Sequence, residues 1–327
     1  MPANLTPDYK RAEEAFRKAK TRDERIAALE QMLAVIPKHK GTDKMQADLR
    51  KRLSKLRELE EQSGGKRTDH FAVRREGAGQ AVIVGAPNCG KSSLLAALTN
   101  ASPEIADYPF STPKPLPGMM PFEDIQIQLI DTPPVTFDRV ESFHSNLARP
   151  TDLILCMVGL GADDPVAQFS EVRDVFEKIK IRFSVENPEE SQFYGMADKK
   201  TLLVLNKYDL DEDDILLGEF RASVKTELPV FPVSAKNGTG LEELKHTIFE
   251  ALNIVRIYSK IPGRPPEMKS PFTLPSGSTV RDVARVVHNE IADRLKYARI
   301  WGSEKFDGQM VQRDYVVHDR DIIELHT

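Results

Sequence analysis

The stretch Gln80 to Ser93 reads Q-A-V-I-V-G-A-P-N-C-G-K-S-S, and the rest of the chain is organised around it. A short apolar run, Ala81 to Val84, stops at Gly85. A loop through Asn88, Cys89 and Gly90 then leads by Lys91, Ser92 and Ser93 into the helical Leu94-Leu95-Ala96-Ala97-Leu98. This is the pattern G-x-x-x-x-G-K-[ST] between a strand and a helix. Small residues let successive backbone N–H groups turn inward around a diphosphate, at a helix N-terminus whose dipole also favours an anion. Lys91 is expected to reach the outer phosphates, and the Ser92 hydroxyl to take one position on Mg²⁺. A Gly-rich turn with an exposed lysine is the alternative, and the agreement of strand, loop and helix speaks against it.

From Gln80 to about Asn253 the chain alternates strands with helices. Strand candidates are Ala81 to Val84, Ile125 to Ile130, Leu153 to Val158, Leu202 to Leu205 and Val230 to Val233. Helical stretches are Ser92 to Thr99, Val166 to Ile179, Ile215 to Glu227 and Leu241 to Leu252. Continuous apolar strands separated by helices imply an α/β fold, a mostly parallel sheet with helices on both faces. Ligands on such sheets sit at the carboxyl ends of the strands, so chemistry-bearing motifs should fall just after strands.

They do. Leu202 to Leu205 is followed by Asn206-Lys207-Tyr208-Asp209, and Phe231 to Val233 by Ser234-Ala235-Lys236. N-K-x-D suits guanine, because the Asp209 carboxylate can accept from both N1–H and the 2-amino group, which adenine cannot donate together. The wrong base would leave a buried carboxylate unpaired, a strong form of discrimination. Lys207 is expected to lie along the base, Asn206 to hold the loop, and the Ala235 N–H to face guanine O6. An ATPase reading requires Asp209 to play no part in base recognition. Between these motifs, Ile130-Asp131-Thr132 ends a strand where Asp131 would hold Mg²⁺ through water. Ala106-Asp107-Tyr108-Pro109-Phe110-Ser111-Thr112 is either an ordinary surface loop or a segment whose Thr112 closes over Mg²⁺ and the γ-phosphate.

Composition bounds the rest. The 327 residues suffice for two or more domains. No apolar run approaches the roughly 20 residues needed to cross a bilayer, and Met1 to Lys20 is charged throughout, so a soluble, cytoplasmic protein without a membrane partner is expected. Two cysteines, Cys89 and Cys156, cannot build a disulfide framework. Residues 1–75 hold 19 Lys+Arg against 12 Asp+Glu, a net of +7, whereas residues 76–327 hold 27 against 38, a net of −11. A basic end on an acidic body suits a polyanionic partner. In that basic N-terminal region, 1–65, residues 1–62 look helical: Ile26, Leu29, Leu33 and Ile36 share one face up to Pro37, and Leu49, Leu53, Leu56 and Leu59 form a stripe flanked by Arg50, Lys51, Arg52, Lys55 and Arg57. A solvated helical hairpin and an RNA-contacting arm both fit. Ser63-Gly64-Gly65 reads as the linker to residues 66–253.

Beyond Asn253 the pattern changes. Val255 to Tyr258, Phe272 to Leu274, Ala298 to Trp301 and Ile322 to Leu325 read as strands, and Thr279 to Lys296 as one helix capped by Ser278 or Thr279. Residues 254–327 thus suggest a ubiquitin-like β-grasp. His288, His318 and His326 are scattered as surface histidines are, and Trp301 reads as core.

The motif spacing, the D-Y-P-F-S-T segment at 107–112, and Leu274-Pro275-Ser276-Gly277, Tyr297-Ala298 and Trp301-Gly302 in the tail resemble the Obg/HflX superfamily of GTPases, most closely its developmentally regulated GTP-binding (DRG) branch with a C-terminal TGS domain. The likeness runs from about Lys38 to Thr327. It implies a P-loop GTPase domain at 66–253 and a translation GTPase that works with the ribosome or RNA, with a dedicated partner protein as one option. In that superfamily a hydrophobic residue replaces the water-orienting Gln, here Val135, and an Asn in the phosphate loop accompanies potassium activation, here Asn88. Lys91, Thr112 and Asn88 are therefore the catalytic candidates, with Mg²⁺ and K⁺ as the ions. Nucleotide-binding candidates are Gly85, Asn88, Cys89, Gly90, Lys91, Ser92, Ser93, Asp131, Asn206, Lys207, Asp209, Ser234, Ala235 and Lys236. One departure stands out: the family's D-x-P-G is Asp131-Thr132-Pro133-Pro134 here, and proline offers no N–H to a γ-phosphate. Slow GTP hydrolysis, or a GTP/GDP-binding scaffold with little hydrolysis, are the two expectations.

Overall fold

Six consecutive buried residues, Gln80–Gly85, form β1 at the centre of the larger sheet. The computed structural model describes residues 7–18, 22–36, 45–46, 49, 51, 53, 73–99, 115–136, 142–186, 195–303 and 306–327. They fall into two compact units, Met1–His70 and Phe71–Thr327. In the first, α1 (Pro7–Lys18) and α2 (Arg22–Val35) bury Tyr9, Ala12, Leu29, Met32 and Ile36 together with Leu49. Leu33 and Leu53 pack against this core, whereas Leu56, Leu59 and the basic residues Arg50, Arg52, Lys55 and Arg57 lie outside the described residues.

The second unit carries a seven-stranded sheet. Its strands are β1, β2 (Leu116–Phe122), β3 (Ile125–Asp131), β4 (Leu153–Gly159), β5 (Ile181–Ser184), β6 (Ala197–Asn206) and β7 (Val230–Pro232). The order is β2-β3-β1-β4-β6-β5, with β7 also on β6, and every pairing but β2–β3 is parallel. Alternate residues of β1 feed opposite cores. Ala81 and Ile83 pack with α3 (Lys91–Leu98) and a helix at Leu241–Leu252 through Leu94, Leu95, Leu98, Leu244 and Ile248. Val82 and Val84 pack with α5 (Pro165–Lys178) and α6 (Ile215–Ser223) through Phe169, Val172, Phe176, Leu217 and Phe220. Between β3 and β4 lies α4 (Ser142–Ala148); the Leu241–Leu252 helix is α7. Each fully buried Leu, Ile or Val contributes about 1.5–3 kcal/mol by leaving water, so this doubly covered sheet is the rigid base for the loops at its carboxyl edge.

The C-terminal domain is a five-stranded sheet with order β11-β10-β12-β8-β9. The strands are β8 (Ile254–Ser259), β9 (Phe272–Pro275), β10 (Tyr297–Trp301), β11 (Gln309–Val311) and β12 (Asp321–His326). Only β8 and β12 run parallel. The expected single helix is two, α8 (Val280–Val287) and α9 (Asn289–Arg294), broken at His288, whose extended φ of −171° cannot be helical and whose ring accepts from the Glu290 N–H. Thr279 caps α8 in a capping box with Asp282. Trp301 is half-buried at the sheet surface, with the Lys260 ammonium 4.5 Å from its ring centre, rather than in the core. Helix α6 also stops four residues short of the expected Glu227, at Ser223.

Candidate functional site

The loop after β1 closes on itself. Gly90 caps α3 in the left-handed region, φ 97°, and a Cβ there would stand 2.2 Å from Asn206 Nδ2; no other residue fits under that amide. Gly85 is equally confined, since a Cβ would meet the Met157 carbonyl at 2.6 Å and Cys89 Sγ at 2.8 Å. Cys89 is fully buried beneath the loop, and burial pushes its thiol up from the ordinary range. This thiol is part of the core, not an exposed nucleophile. Asn88, left-handed at φ 60°, and Ser93 are exposed.

Lys91 is 7% exposed and folds back into the loop, donating to the carbonyls of Gly85 (3.1 Å) and Ala86 (3.0 Å). The ammonium is thus stored inside the phosphate loop. Ser92 donates its hydroxyl to Asp131 Oδ2 at 2.5 Å, while Asp131 Oδ1 is buried with no partner among the described residues. Desolvation raises the Asp131 carboxyl above its ordinary value, and the Ser92 bond and the Lys91 charge oppose that shift without cancelling it. An orphaned carboxylate oxygen beside a hydroxyl is a donor set for a hard divalent cation such as Mg²⁺. Among the described residues no three His, Cys, Asp or Glu gather to hold a metal by themselves. Thr112 and its loop lie outside the described residues.

The second loop cluster is stitched to the first by Asn206. Its Nδ2 donates to the Cys89 carbonyl at 3.0 Å and its Oδ1 accepts the Ala235 N–H at 3.1 Å. The Ala235 N–H expected to face a base is bonded to the Asn206 amide oxygen in this structure. Lys207 is left-handed at φ 65°, and its stem lies over Gly159 and Gly161, where added Cβ atoms would come within 3.7 Å of it. Asp209, two residues on, is half-buried. Ser234 donates to its Oδ1 at 2.6 Å, and Lys236 stands 3.6 Å from its Oδ2. The Ser234 hydroxyl, with Lys236 nearby, holds the Asp209 carboxyl below its ordinary value, so it is a charged acceptor at neutral pH. A charged acceptor in this loop and the Lys91 ammonium in the loop after β1 are tied together through Asn206.

Residues 132–135 are tied down one after another. Thr132 Oγ1 donates to Ile83 O (2.7 Å), the Pro133 carbonyl meets His144 Nε2 (3.2 Å) and the Val135 N–H donates to Gly85 O (3.1 Å). Val135 is fully buried and Pro134 is exposed. His144, buried on α4, was not singled out by any sequence signal; neither was Gln168, whose Oε1 accepts the Gly159 N–H at 3.2 Å.

Residues 80–207 match the family described as 50S ribosome-binding GTPase, and residues 255–327 match the TGS domain. An uncharacterized GTP-binding protein of Methanocaldococcus jannaschii is 28% identical over 363 aligned residues covering 92% of each chain. The developmentally-regulated GTP-binding protein 2 homolog of Dictyostelium discoideum is 25% identical, over 92% of this chain and 98% of its own length. The structure of the Schizosaccharomyces pombe YchF GTPase shares the fold with a TM-score of 0.53 at 15% identity, over 77% of this chain and 99% of that one. No described helix is long and apolar enough to cross a membrane. The chain therefore joins a GTPase domain to a C-terminal TGS domain, and the relatives it matches are GTP-binding proteins.

Proposed function

We propose that this protein is a DRG-like translation GTPase that binds GTP with Mg²⁺, hydrolyses it slowly to GDP and phosphate, and works with the ribosome or RNA in the cytoplasm. The observation that supports the nucleotide part is the Asn206 amide, which holds the Cys89 and Ala235 backbones together and so ties the phosphate loop to the loop after β7. In this reading Asp209 accepts from guanine N1–H and the 2-amino group, and Lys207 lies along the base. Lys91 swings from the Gly85 and Ala86 carbonyls onto the β- and γ-phosphate oxygens, exchanging weak neutral acceptors for charged ones. Ser92 and Asp131 hold Mg²⁺, Asp131 through water, with Thr112 the candidate to complete the set. Mg²⁺ supplies charge neutralisation on the phosphate oxygens. Among the described residues we place no side chain as a base for the attacking water, and in this reading the chain contributes positioning and electrostatic stabilisation.

Asn88, exposed and left-handed at the mouth of the loop, is the proposed seat of a K⁺ contact. Turnover in K⁺ and Na⁺ tests it: faster hydrolysis in K⁺ is expected, and equal rates remove Asn88 from that role. A dedicated partner protein is a candidate for stimulating the slow intrinsic rate. The basic residues of the N-terminal region and the TGS domain are the proposed ribosome or RNA contacts; co-sedimentation with ribosomes across a salt series tests them.

Pro134 favours a second reading, a GTP/GDP-binding scaffold with little hydrolysis. It has no N–H, and its neighbours Thr132, Pro133 and Val135 are bonded to Ile83, His144 and Gly85. Single-turnover cleavage of GTP with and without ribosomes separates the readings, since the scaffold cleaves in neither condition.

A further inference from the structure

The GTPase and C-terminal domains keep separate apolar cores, one closing with Ala251 and Leu252, the other opening with Val255 and Ile257. Beyond Ile254, which packs against the GTPase core, most of what joins them is polar. The Arg256 side chain on β8, 3% exposed, reaches the turn between β2 and β3, where Nη1 bonds Glu123 and, at 3.1 Å, Asp124 Oδ1. The Tyr258 hydroxyl bonds Asp124, and Arg320 donates to Glu123 Oε2 at 2.6 Å. The apolar part of the contact is the Phe249 ring, 4.8 Å from the Arg256 guanidinium carbon and stacked on Phe122.

This joint can open without stranding a buried charge. Arg256 keeps a partner in its own domain: Asp319 takes its Nε at 3.0 Å, its Nη2 at 2.6 Å and its backbone N–H at 2.8 Å. Glu123 and Asp124, on a turn, pass to water. A buried ion pair is costly to break when one partner is left alone; here none is, and small polar contacts between domains of one chain are those that move.

The turn is also one end of a lever. Strands β2 and β3 pair without interruption from Phe122↔Ile125 to Leu116↔Asp131, about 20 Å at ~3.4 Å per residue. At the far end stands Asp131, bonded to Ser92 of the phosphate loop.

We infer that the C-terminal domain docks reversibly on the Glu123–Asp124 turn through Arg256, Tyr258 and Arg320, and that docking is linked to whether GDP or GTP occupies the far end of the hairpin. This rests on the guanine-nucleotide reading above. Linkage is reciprocal, so weakening the dock must change the relative affinity for the two nucleotides.

The test measures hydrogen exchange at residues 254–260 and 318–322 of the full chain with GDP and with a non-hydrolysable GTP analogue. Alongside it, the affinity ratio for the two is compared in wild type and in Glu123→Gln/Asp124→Asn, which leaves Arg256 paired with Asp319. Exchange is expected to differ between nucleotides in wild type, and the variant to shift the affinity ratio by about fivefold or more and erase the difference. A salt series on wild type, which screens the turn's charges, is expected to reproduce the variant's exchange pattern. Identical exchange with both nucleotides and an unchanged ratio overturn the linkage alone. Exchange indifferent to salt overturns the polar dock, and a chain that binds neither nucleotide overturns the guanine-nucleotide reading beneath both.

Discussion

The Asn206 side-chain nitrogen stands 3.0 Å from the Cys89 carbonyl oxygen, directly over Gly90. One amide therefore decides whether the phosphate loop and the loop after β7 form a single site. Asn206→Ala removes both bonds but leaves the buried strand in place, so the fold should survive while GDP affinity falls at least tenfold, ~1.4 kcal/mol. Gly90→Ala should be worse, because its Cβ collides with that amide and the position is left-handed. Titration calorimetry with GDP checks both; a Gly90→Ala chain that binds like wild type would contradict the stitched-loop account.

Asp209 carries a prediction about the base. Replacing its carboxylate by an amide in Asp209→Asn supplies a donor where guanine also donates, so GDP binding should drop by about 100-fold or more, a buried unpaired polar group costing about 1–3 kcal/mol and a charged one more. Xanthosine diphosphate, with a 2-keto acceptor in place of the 2-amino donor, should bind the variant better than GDP does. Competition against labelled GDP reads this directly, and an unchanged order of preference would mean Asp209 does not touch the base.

Asp131 predicts opposite effects on stability and on metal binding. Its folded pKa lies above the unfolded one, chiefly through desolvation, so the stabilisation it contributes is full below the unfolded value and is lost as pH rises through the folded value. At neutral pH the buried charge is a net cost to the nucleotide-free chain. Asp131→Asn should raise its thermal midpoint, by about 2 °C or more, while weakening the Mg²⁺ dependence of nucleotide affinity. A lower midpoint would show that the carboxylate is stabilising where it stands.

Glu123 behaves in the reverse sense. The Arg256 hydrogen bond, with that of Arg320, holds its carboxyl at about 2. Its contribution is present above the ordinary value of 4.5 and fades as pH falls towards 2, a window that Glu123→Gln should abolish. Because Glu123 is 39% exposed, the effect is screened and small, below ~1 kcal/mol. Acid unfolding curves of wild type and variant should be fully separated above pH 4.5 and converge as pH falls towards 2.

Much of this was legible in the sequence for a physical reason. Strands β1 and β4 and the stretch Leu202 to Leu205 of β6 are buried on both faces and so read as unbroken apolar runs, and the glycines at 85 and 90 sit where backbone or an amide leaves no room for a side chain. Strand β2 was not legible, because Leu116-Pro117-Gly118 carries two residues that argue against a strand; it is tolerated at the sheet edge, antiparallel to β3. The break at His288 has no Gly or Pro to announce it. Nor could spacing reveal that Arg256 meets Glu123 or that His144 meets Pro133, since such pairs depend on the folded arrangement of distant elements. The bond from the Ala235 N–H to Asn206 was hidden for the same reason: the two are 29 residues apart in sequence.

Titration calorimetry of the full chain with GDP and with ADP, each with Mg²⁺, tests the central claim most directly. Asp209 aimed at two guanine donors predicts GDP binding at least 100-fold tighter than ADP, a difference of ~2.7 kcal/mol. Equal affinities for the two nucleotides would contradict it.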